Sequence, residues 1–192
     1  MYVLLDLDHT IANSFWRDSM IGTESWDVYH EASKDDKPFQ NIARLINSLA
    51  SMSYVIIGIT GRNEKFRQLT TKWLLEHRID VDELLMRPDG NFEKNGIVKM
   101  ALVEERFKNN YKNIQFLIDD NEDTILSFHK LGITTLQVRN INEVKNGHDQ
   151  SSKSDTGAAR EAGQNGTNNG SGNIPESNGD NEAEQSDLQK LS

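Results

Sequence analysis

The chain has 192 residues, a net charge of −9 at pH 7 and no cysteine. The acidic balance argues against a protein that binds nucleic acid by charge alone, because such proteins normally carry an excess of basic residues. Without cysteine, the sequence excludes a disulfide framework, a zinc–thiolate centre and a cysteine nucleophile.

Composition divides the chain into a folded domain over residues 1–145 and a tail over residues 146–192. The tail has no Phe, Trp or Tyr and is rich in Gly, Asn, Ser and Glu, a composition that predicts disorder. No apolar run approaches the roughly 20 residues that cross a bilayer, and no signal-peptide pattern precedes the first apolar segment. We therefore expect a soluble, cytoplasmic protein without membrane contact, and nothing in the sequence calls for an obligate protein partner.

Apolar runs of strand length alternate with helical patterns through the first domain. The predicted order is strand 2–6, helix 39–51, strand 54–59, helix 63–77, strand 84–86, helix 95–107, strand 114–118, helix 122–131 and strand 134–138. This alternation predicts a parallel α/β sheet with helices on both faces. In such sheets the functional groups gather beyond the carboxyl ends of the strands.

Polar residues stand at those strand ends. Asp6 and Asp8 follow the first strand, Thr60 follows the second, Asp119 follows the strand at 114–118, and Lys99 lies in the helix before it. Most of these residues, taken singly, fit ordinary capping or turn roles. The pair Asp6 and Asp8 does not, because carboxylates at a buried strand end are costly unless they are paired or hold a metal.

The order of these residues resembles the haloacid dehalogenase (HAD) superfamily of phosphotransferases. Asp6-Leu7-Asp8-His9-Thr10 resembles its first motif, Thr60 the second, Lys99 the third, and Asp119-Asp120 with Asp123 the fourth. More narrowly, residues 1–140 are similar to the 3′-phosphatase half of phage polynucleotide kinase-phosphatase.

Three details carry the narrower resemblance. The first is the spacing of Arg17 from Asp6, and the second is Thr60-Gly61-Arg62, which resembles a Ser-Gly-Arg of that group. The third is the pattern and spacing from Lys72-Trp73-Leu74 through Arg87 and the Lys94–Lys99 stretch to Ile118-Asp119-Asp120. The sequence departs from the pattern at His9, where a glycine is usual, and at Asn95, where the phage enzyme has an acidic residue. No Gly-x-x-x-x-Gly-Lys-Ser/Thr phosphate loop occurs, so we do not expect a kinase half in this chain.

The resemblance implies a three-layer, Rossmannoid parallel sheet with a minimal cap or none. The segments Ile11–Pro38 and Met86–Lys94, where caps are inserted, are too short to fold alone. The resemblance also implies a Mg²⁺-dependent phosphomonoesterase that forms an aspartyl phosphate. The expected substrate is a phosphorylated nucleic-acid end, with a polynucleotide 3′-phosphate preferred, or a nucleotide, in the host cytoplasm if the protein is phage-encoded.

The same resemblance implies a role for each residue of the site. It assigns nucleophilic attack to Asp6, general acid–base catalysis to Asp8, and phosphoryl binding to Thr60, Gly61 and Lys99. Mg²⁺ would be held by Asp6, Asp119 and the main-chain carbonyl of Asp8. Asp120 and Asp123 would hold metal-bound waters or the Lys99 ammonium, and Arg17 and Arg62 would clamp the phosphate or a neighbouring backbone phosphate.

Two rival functions stay open at this point. One is a phosphatase for mononucleotides, other small metabolites or phosphoproteins. The other is a receiver-like, non-enzymatic signalling module, although a receiver has its acidic pair early and a lone aspartate mid-chain, which is the reverse of the order here. A related choice concerns the aromatic residues after the first strand, which either stack a base or seal this segment onto the domain: Trp16, Trp26, Tyr29 and His30.

Overall fold

The computed structural model describes residues 1–139, so the tail predicted for residues 146–192 lies outside the described residues. A five-stranded sheet forms the centre, with the strand order β5-β4-β1-β6-β7, and every neighbouring pair is parallel. The strands are β1 (Tyr2–Leu5), β4 (Val55–Asn63), β5 (Glu83–Arg87), β6 (Ile114–Asp119) and β7 (Thr135–Gln137).

Helices cover both faces of this sheet. The helices α2 (Gln40–Ser51) and α3 (Arg67–Glu76) share one apolar core with alternate residues of the strands. The helices α4 (Asn95–Phe107) and α5 (Glu122–Lys130) share the other. The predicted three-layer arrangement is therefore confirmed.

The central strand explains why the first apolar run is continuous. Val3 pairs with Ile56 of β4 and Phe116 of β6, and it faces the core with α2 and α3. Its neighbour Leu4 faces the opposite core. Since both faces of β1 are covered, every position of the strand takes an apolar side chain, and the first charged residue, Asp6, comes directly after the strand ends.

The second strand is longer than the sequence predicts. We expected it to end at residue 59, but β4 continues to Asn63, so Thr60, Gly61 and Arg62 lie within the strand. Pairing with β5 shifts its register between Thr60 and Asn63. This local irregularity is where the strand leaves its apolar run and presents polar side chains.

The sequence predicted no structure between residues 14 and 36, which we call the insert. A short antiparallel pair, β2 (Ala12–Asn13) and β3 (Lys37–Pro38), closes its base. Between them lie a 3₁₀ helix (Phe15–Met20), helix α1 (Trp26–Glu31) and a second 3₁₀ helix (Ala32–Asp35).

Among the described residues, no helix is long and apolar enough to cross a membrane.

Candidate active site

Three carboxylates meet at the carboxyl edge of the sheet, and we call them the acidic cluster: Asp6, Asp119 and Asp120. Each offers one oxygen, and these oxygens lie within 4.8 Å of one another. Asp6 directly follows β1 and Asp119 ends β6, the strand that pairs with β1. The parallel pairing of two adjacent strands therefore brings together residues that are 113 positions apart in the sequence.

Lys99 supplies the positive charge within this cluster. Its Nζ lies 2.7 Å from an Asp6 oxygen and 2.7 Å from an Asp119 oxygen, and the residue is only 3% exposed. It comes from α4, which packs on the face of the sheet that includes Leu4 and Leu117. Burial lowers the pKa of Lys99, but the charges of Asp6 and Asp119 together raise it by more than burial lowers it. The ammonium therefore stays charged.

The turn after β6 fixes the other two carboxylates. The Asn121 amide donates to Asp119 Oδ1 at 2.9 Å, while the Asn121 side chain accepts from the Thr124 amide and so caps α5. The Thr10 hydroxyl donates to Asp120 Oδ1 at 3.2 Å. Asp120 was predicted to stand around the metal ligands, and the structure brings its carboxylate into the cluster itself.

Burial raises the pKa of Asp119 and of Asp120, and the neighbouring Asp6 charge adds to both shifts. Three carboxylates against one ammonium leave an excess of two negative charges when all are ionised. A divalent cation of the Mg²⁺ type matches this site, because it prefers hard oxygen ligands and neutralises that excess. The donor set of the acidic cluster therefore fits the metal that the resemblance implies.

Asp8 belongs to a second group of charges, which we call the arginine network: Asp8, Arg17, Asp36 and Arg62. Arg62 Nη2 lies 2.6 Å from Asp8 Oδ1, and Arg17 Nη2 bonds the same oxygen. Both guanidinium groups also reach Asp36 Oδ2, at 2.8 Å from Arg17 and 3.2 Å from Arg62. Two carboxylates and two guanidinium groups make this network neutral.

Arg17 and Arg62 were predicted to clamp phosphate, and the structure shows them fully buried with their forks on Asp8 and Asp36. The Nη1 atom of each has no hydrogen-bond partner among the described residues. Burial raises the pKa of Asp8, but Arg62 and Arg17 together hold it well below its usual range. Phosphate binding by these two residues stays a prediction.

Sequence reasoning missed Asp36, which anchors the network. It is 1% exposed, and its Oδ1 also accepts from the Trp16 indole at 2.9 Å. Its main-chain carbonyl accepts from the Trp73 indole at 2.8 Å. The adjacent Asp35 and Asp36 look alike in the sequence, and no local signal distinguished the buried carboxylate from its exposed neighbour.

Thr60 and Gly61 stand beside these charges at the end of β4. Thr60 is fully buried, and its hydroxyl accepts from the Arg62 amide at 3.2 Å. A methyl group placed on Gly61 would lie 2.5 Å from Asn95 Oδ1, so any larger residue there would displace the Asn95 side chain. Arg87 bonds both the Gly61 carbonyl, at 2.9 Å, and Asn95 Oδ1.

Of two further residues of the predicted motifs, His9 borders the acidic cluster, with its Nδ1 3.9 Å from an Asp120 oxygen, whereas Asp123 does not belong to the cluster. Asp123 is exposed in the first turn of α5. His9 adopts a left-handed conformation, with φ of 64°, and its ring contacts Phe15 and lies 2.9 Å from Asp18. The left-handed backbone explains why glycine is the usual residue at this position of the motif. His9 adopts the same backbone conformation, so the turn is kept.

Solved structures share this architecture. Two structures of the Pnkp1/Rnl/Hen1 complex, one of them described as an RNA repair complex, match with TM-scores of 0.61 and 0.58 at 25% and 24% identity. Each match covers 71% of this chain but only 44% and 42% of the matched chain. This chain thus spans less than half the length of those chains.

L-2-haloacid dehalogenase from Xanthobacter autotrophicus, with chloropropionic acid covalently bound, shares the fold. Its TM-score is 0.56 at 11% identity, over 80% of this chain and 84% of that one. At this level of identity the likeness shows a shared fold. Comparison of the sequence with curated proteins gave no match.

The family is defined more narrowly by the sequence. The family described as "Polynucleotide kinase PNKP phosphatase domain" matches residues 1–142, which include the acidic cluster, Lys99 and the whole arginine network. The chain belongs to this family of HAD phosphatases.

Proposed function

We propose that the protein is a Mg²⁺-dependent phosphomonoesterase that removes the 3′-phosphate of a polynucleotide through an aspartyl-phosphate intermediate. The observation that carries this proposal is the separation of Asp6 and Asp8 into two electrostatic settings. Asp6 lies beside Lys99 in the acidic cluster, whereas Asp8 is held by two buried arginines. Two carboxylates in different settings can perform two different roles.

Asp6 is the nucleophile of the proposed reaction. Its carboxylate oxygen forms a bond to phosphorus while the bond between phosphorus and the leaving oxygen breaks. Lys99, within hydrogen-bonding distance of Asp6, stabilises the negative charge that develops on the phosphoryl oxygens. Asp6, Asp119 and Asp120 would hold Mg²⁺, which supplies positive charge that offsets the repulsion between a carboxylate and a phosphate dianion.

Asp8 transfers the protons. It gives one to the leaving oxygen in the first step, and as a carboxylate it takes one from the water that hydrolyses the aspartyl phosphate in the second. A phosphate dianion arriving near Arg17 and Arg62 counteracts their charge, and so raises the pKa of Asp8 towards the range that a general acid needs. The arginines also fix the direction of the carboxylate, since both bond the same oxygen.

Family membership supports a polynucleotide 3′-phosphate as substrate, as does the small size of the insert. The 23 residues between Ser14 and Asp36 fold as short helices that pack on the domain and do not form a separate cap. A site without a large cap admits the end of a polymer. A mononucleotide phosphatase is the second candidate, because the insert supplies Arg17 and Asp36 of the arginine network and is long enough to contact one nucleoside.

A phosphate-release panel with Mg²⁺ tests the proposal. It compares a 3′-phosphorylated oligonucleotide, the 5′-phosphorylated form of the same sequence, 3′- and 5′-mononucleotides, a sugar phosphate and a phosphopeptide. We expect the highest kcat/KM with the 3′-phosphorylated oligonucleotide. A tenfold preference for a mononucleotide would reject the polynucleotide assignment and keep the phosphatase.

Variants of the same enzyme test the mechanism. Asp6→Asn removes the nucleophile without changing its volume, so we expect no turnover from a folded protein. Lys99→Ala should lower kcat by about 10²–10³, whereas Lys94→Ala and Lys108→Ala, two exposed lysines at the ends of the same helix, serve as matched controls with small effects. Equal effects at all three lysines would show that Lys99 does not act on the phosphoryl group.

A further inference from the structure

A cleft of about 700 Å³ lies between the insert and the start of α3. Its apolar walls come from Trp16, Met20 and Val28 of the insert and from Phe66 of the domain. Clefts of this volume commonly hold small ligands in proteins. The mechanism proposed above uses none of these side chains.

The cleft adjoins the arginine network through Trp16. The Trp16 indole donates to Asp36 Oδ1 at 2.9 Å, and the same oxygen accepts from Arg17 Nε at 3.0 Å. Arg17 follows Trp16 in the chain and bonds Asp8. The wall of the cleft and the group that holds the proposed general acid are therefore consecutive residues.

Four of the aromatic rings of the insert form a buried pair and an exposed pair. Tyr29 and His30 are 7% and 8% exposed, and the His30 ring lies 5.4 Å from that of Phe66, so these two seal the insert onto the domain. Trp16 and Trp26 remain 49% and 56% exposed. Of these two, Trp16 lines the cleft, so an aromatic face that is half exposed to water stands in its wall.

The charges around the cleft are largely compensated. Lys65 pairs with Asp27 at 2.5 Å, and Lys34 pairs with Glu31 at 3.3 Å. Because both lysines are paired, these walls do not attract an anion, and a phosphate group would gain little electrostatic binding energy there. They suit a flat, neutral ring with polar edges, which stacks on indole or phenyl faces and bonds to carboxylates at the rim.

We propose that this cleft binds the nucleobase of the terminal nucleotide whose phosphate the enzyme removes. This inference rests on the proposed phosphatase function and specifies how the substrate is recognised. Stacking on aromatic faces tolerates every base, so the cleft distinguishes an end with a base from an end without one and discriminates little among the four bases.

Two oligonucleotides test this proposal. Both carry a 3′-phosphate, and they differ only in that the terminal nucleotide has adenine in one and no base in the other. Binding to the Asp6→Asn protein is measured by fluorescence anisotropy of a 5′ label, and kcat/KM is measured with the wild-type protein. We expect the base-bearing end to bind about tenfold more tightly, within the range of base–aromatic stacking.

Phe66→Leu removes the aromatic face with little loss of volume, and we expect it to reduce this preference to less than about threefold. Val28→Glu, at an exposed position of the cleft, provides a second variant that does not disturb the core. Leu75→Ala, an exposed apolar residue on α3, is the control and keeps the preference. Loss of the preference in Phe92→Leu, outside the cleft, with none in Phe66→Leu, would overturn the proposal.

The two proposals fail separately. Equal binding and equal hydrolysis of the two oligonucleotides would reject the nucleobase site and leave the phosphatase standing. A clear binding preference without any phosphate release from the wild-type protein would reject the phosphatase and leave the nucleobase site standing.

Discussion

At the scale of single residues, Asp36 connects the insert to the site. It accepts hydrogen bonds from Arg17, Arg62 and Trp16 in the protein interior, so both arginines depend on it for their orientation toward Asp8. Burial raises the pKa of Asp36, and the arginine forks that bond it act in the opposite direction. A buried carboxylate of this kind is stable only with its partners in place.

We expect Asp36→Asn to lower the free energy of unfolding by about 3 kcal/mol, because it leaves two buried guanidinium groups with one carboxylate. Turnover should fall as well, since Asp8 loses its fixed direction. Thermal unfolding and kcat report the two effects. Asp80→Asn, at an exposed position, is the control, and an Asp36→Asn protein as stable as that control would contradict the prediction.

The raised pKa values in the acidic cluster predict that metal binding there depends on pH. Burial, with the charges of Asp6 and Asp119, raises the pKa of Asp120 to about 8, and burial with Asp6 raises that of Asp119 to about 6. Mg²⁺ binds ionised carboxylates, so at neutral pH it must displace protons. Its affinity should therefore rise from pH 6 to pH 8 and level off above.

Calorimetric titration of Mg²⁺ at pH 6, 7 and 8, in two buffers with different ionisation enthalpies, measures both the affinity and the protons released. Asp120→Asn removes the group with the higher pKa, so the rise between pH 7 and 8 should disappear in that variant. An affinity that stays constant from pH 6 to pH 8 in the wild-type protein would contradict the assignment of the cluster.

At the scale of elements, the approach of β4 to α4 sets the geometry around the proposed phosphoryl site. Gly61 of β4 faces Asn95, the first residue of α4, and Arg87 at the end of β5 bonds both. Arg87 also binds the carbonyls of Asn91 and Glu93. Three elements are therefore held together where the polar residues of β4 emerge.

Gly61→Ala should lower kcat/KM and cost about 1 kcal/mol of stability, because the added methyl group displaces Asn95 from Arg87. Gly96→Ala, at the residue after Asn95 in α4, is the matched control. A methyl group there meets only ordinary contacts, the nearest at 3.7 Å, and alanine favours a helix. Kinetics and thermal unfolding compare the two variants, and a tolerated Gly61→Ala would argue against a close-packed site at this position.

At the scale of the whole molecule, the family match ends at residue 142 and the described structure at residue 139. Every group of the acidic cluster and of the arginine network lies within these limits. The proposed chemistry therefore needs nothing from residues 146–192.

We expect a chain that ends at Lys145 to keep the melting temperature and the turnover of the full chain on a small phosphomonoester. The composition of residues 146–192 offers few apolar side chains for a core. Differential scanning calorimetry and phosphate release measure the two properties. A large loss of either would mean that these residues contribute to the domain.

The sequence by itself predicted the parallel sheet, the order of its main helices and strands, and two members of the acidic cluster, Asp6 and Asp119, whereas the third, Asp120, was predicted only as a neighbour of the metal ligands. Apolar periodicity is local, so β1, α4 and β6 are predicted to within a residue or so at each end. Parallel strands place their carboxyl ends at one edge, which brings Asp6 and Asp119 together in any such sheet.

Only the tertiary structure decided what the long charged side chains contact. Arg62 bonds Asp8 across 54 positions and Asp36 across 26, and no local pattern encodes such partners. The fold of the insert depends on the same buried contacts. Its helices are too short to show an apolar periodicity, so the sequence pattern did not predict them. A buried charge takes whichever partner the fold brings within reach, and that choice separates Asp36 from its neighbour Asp35.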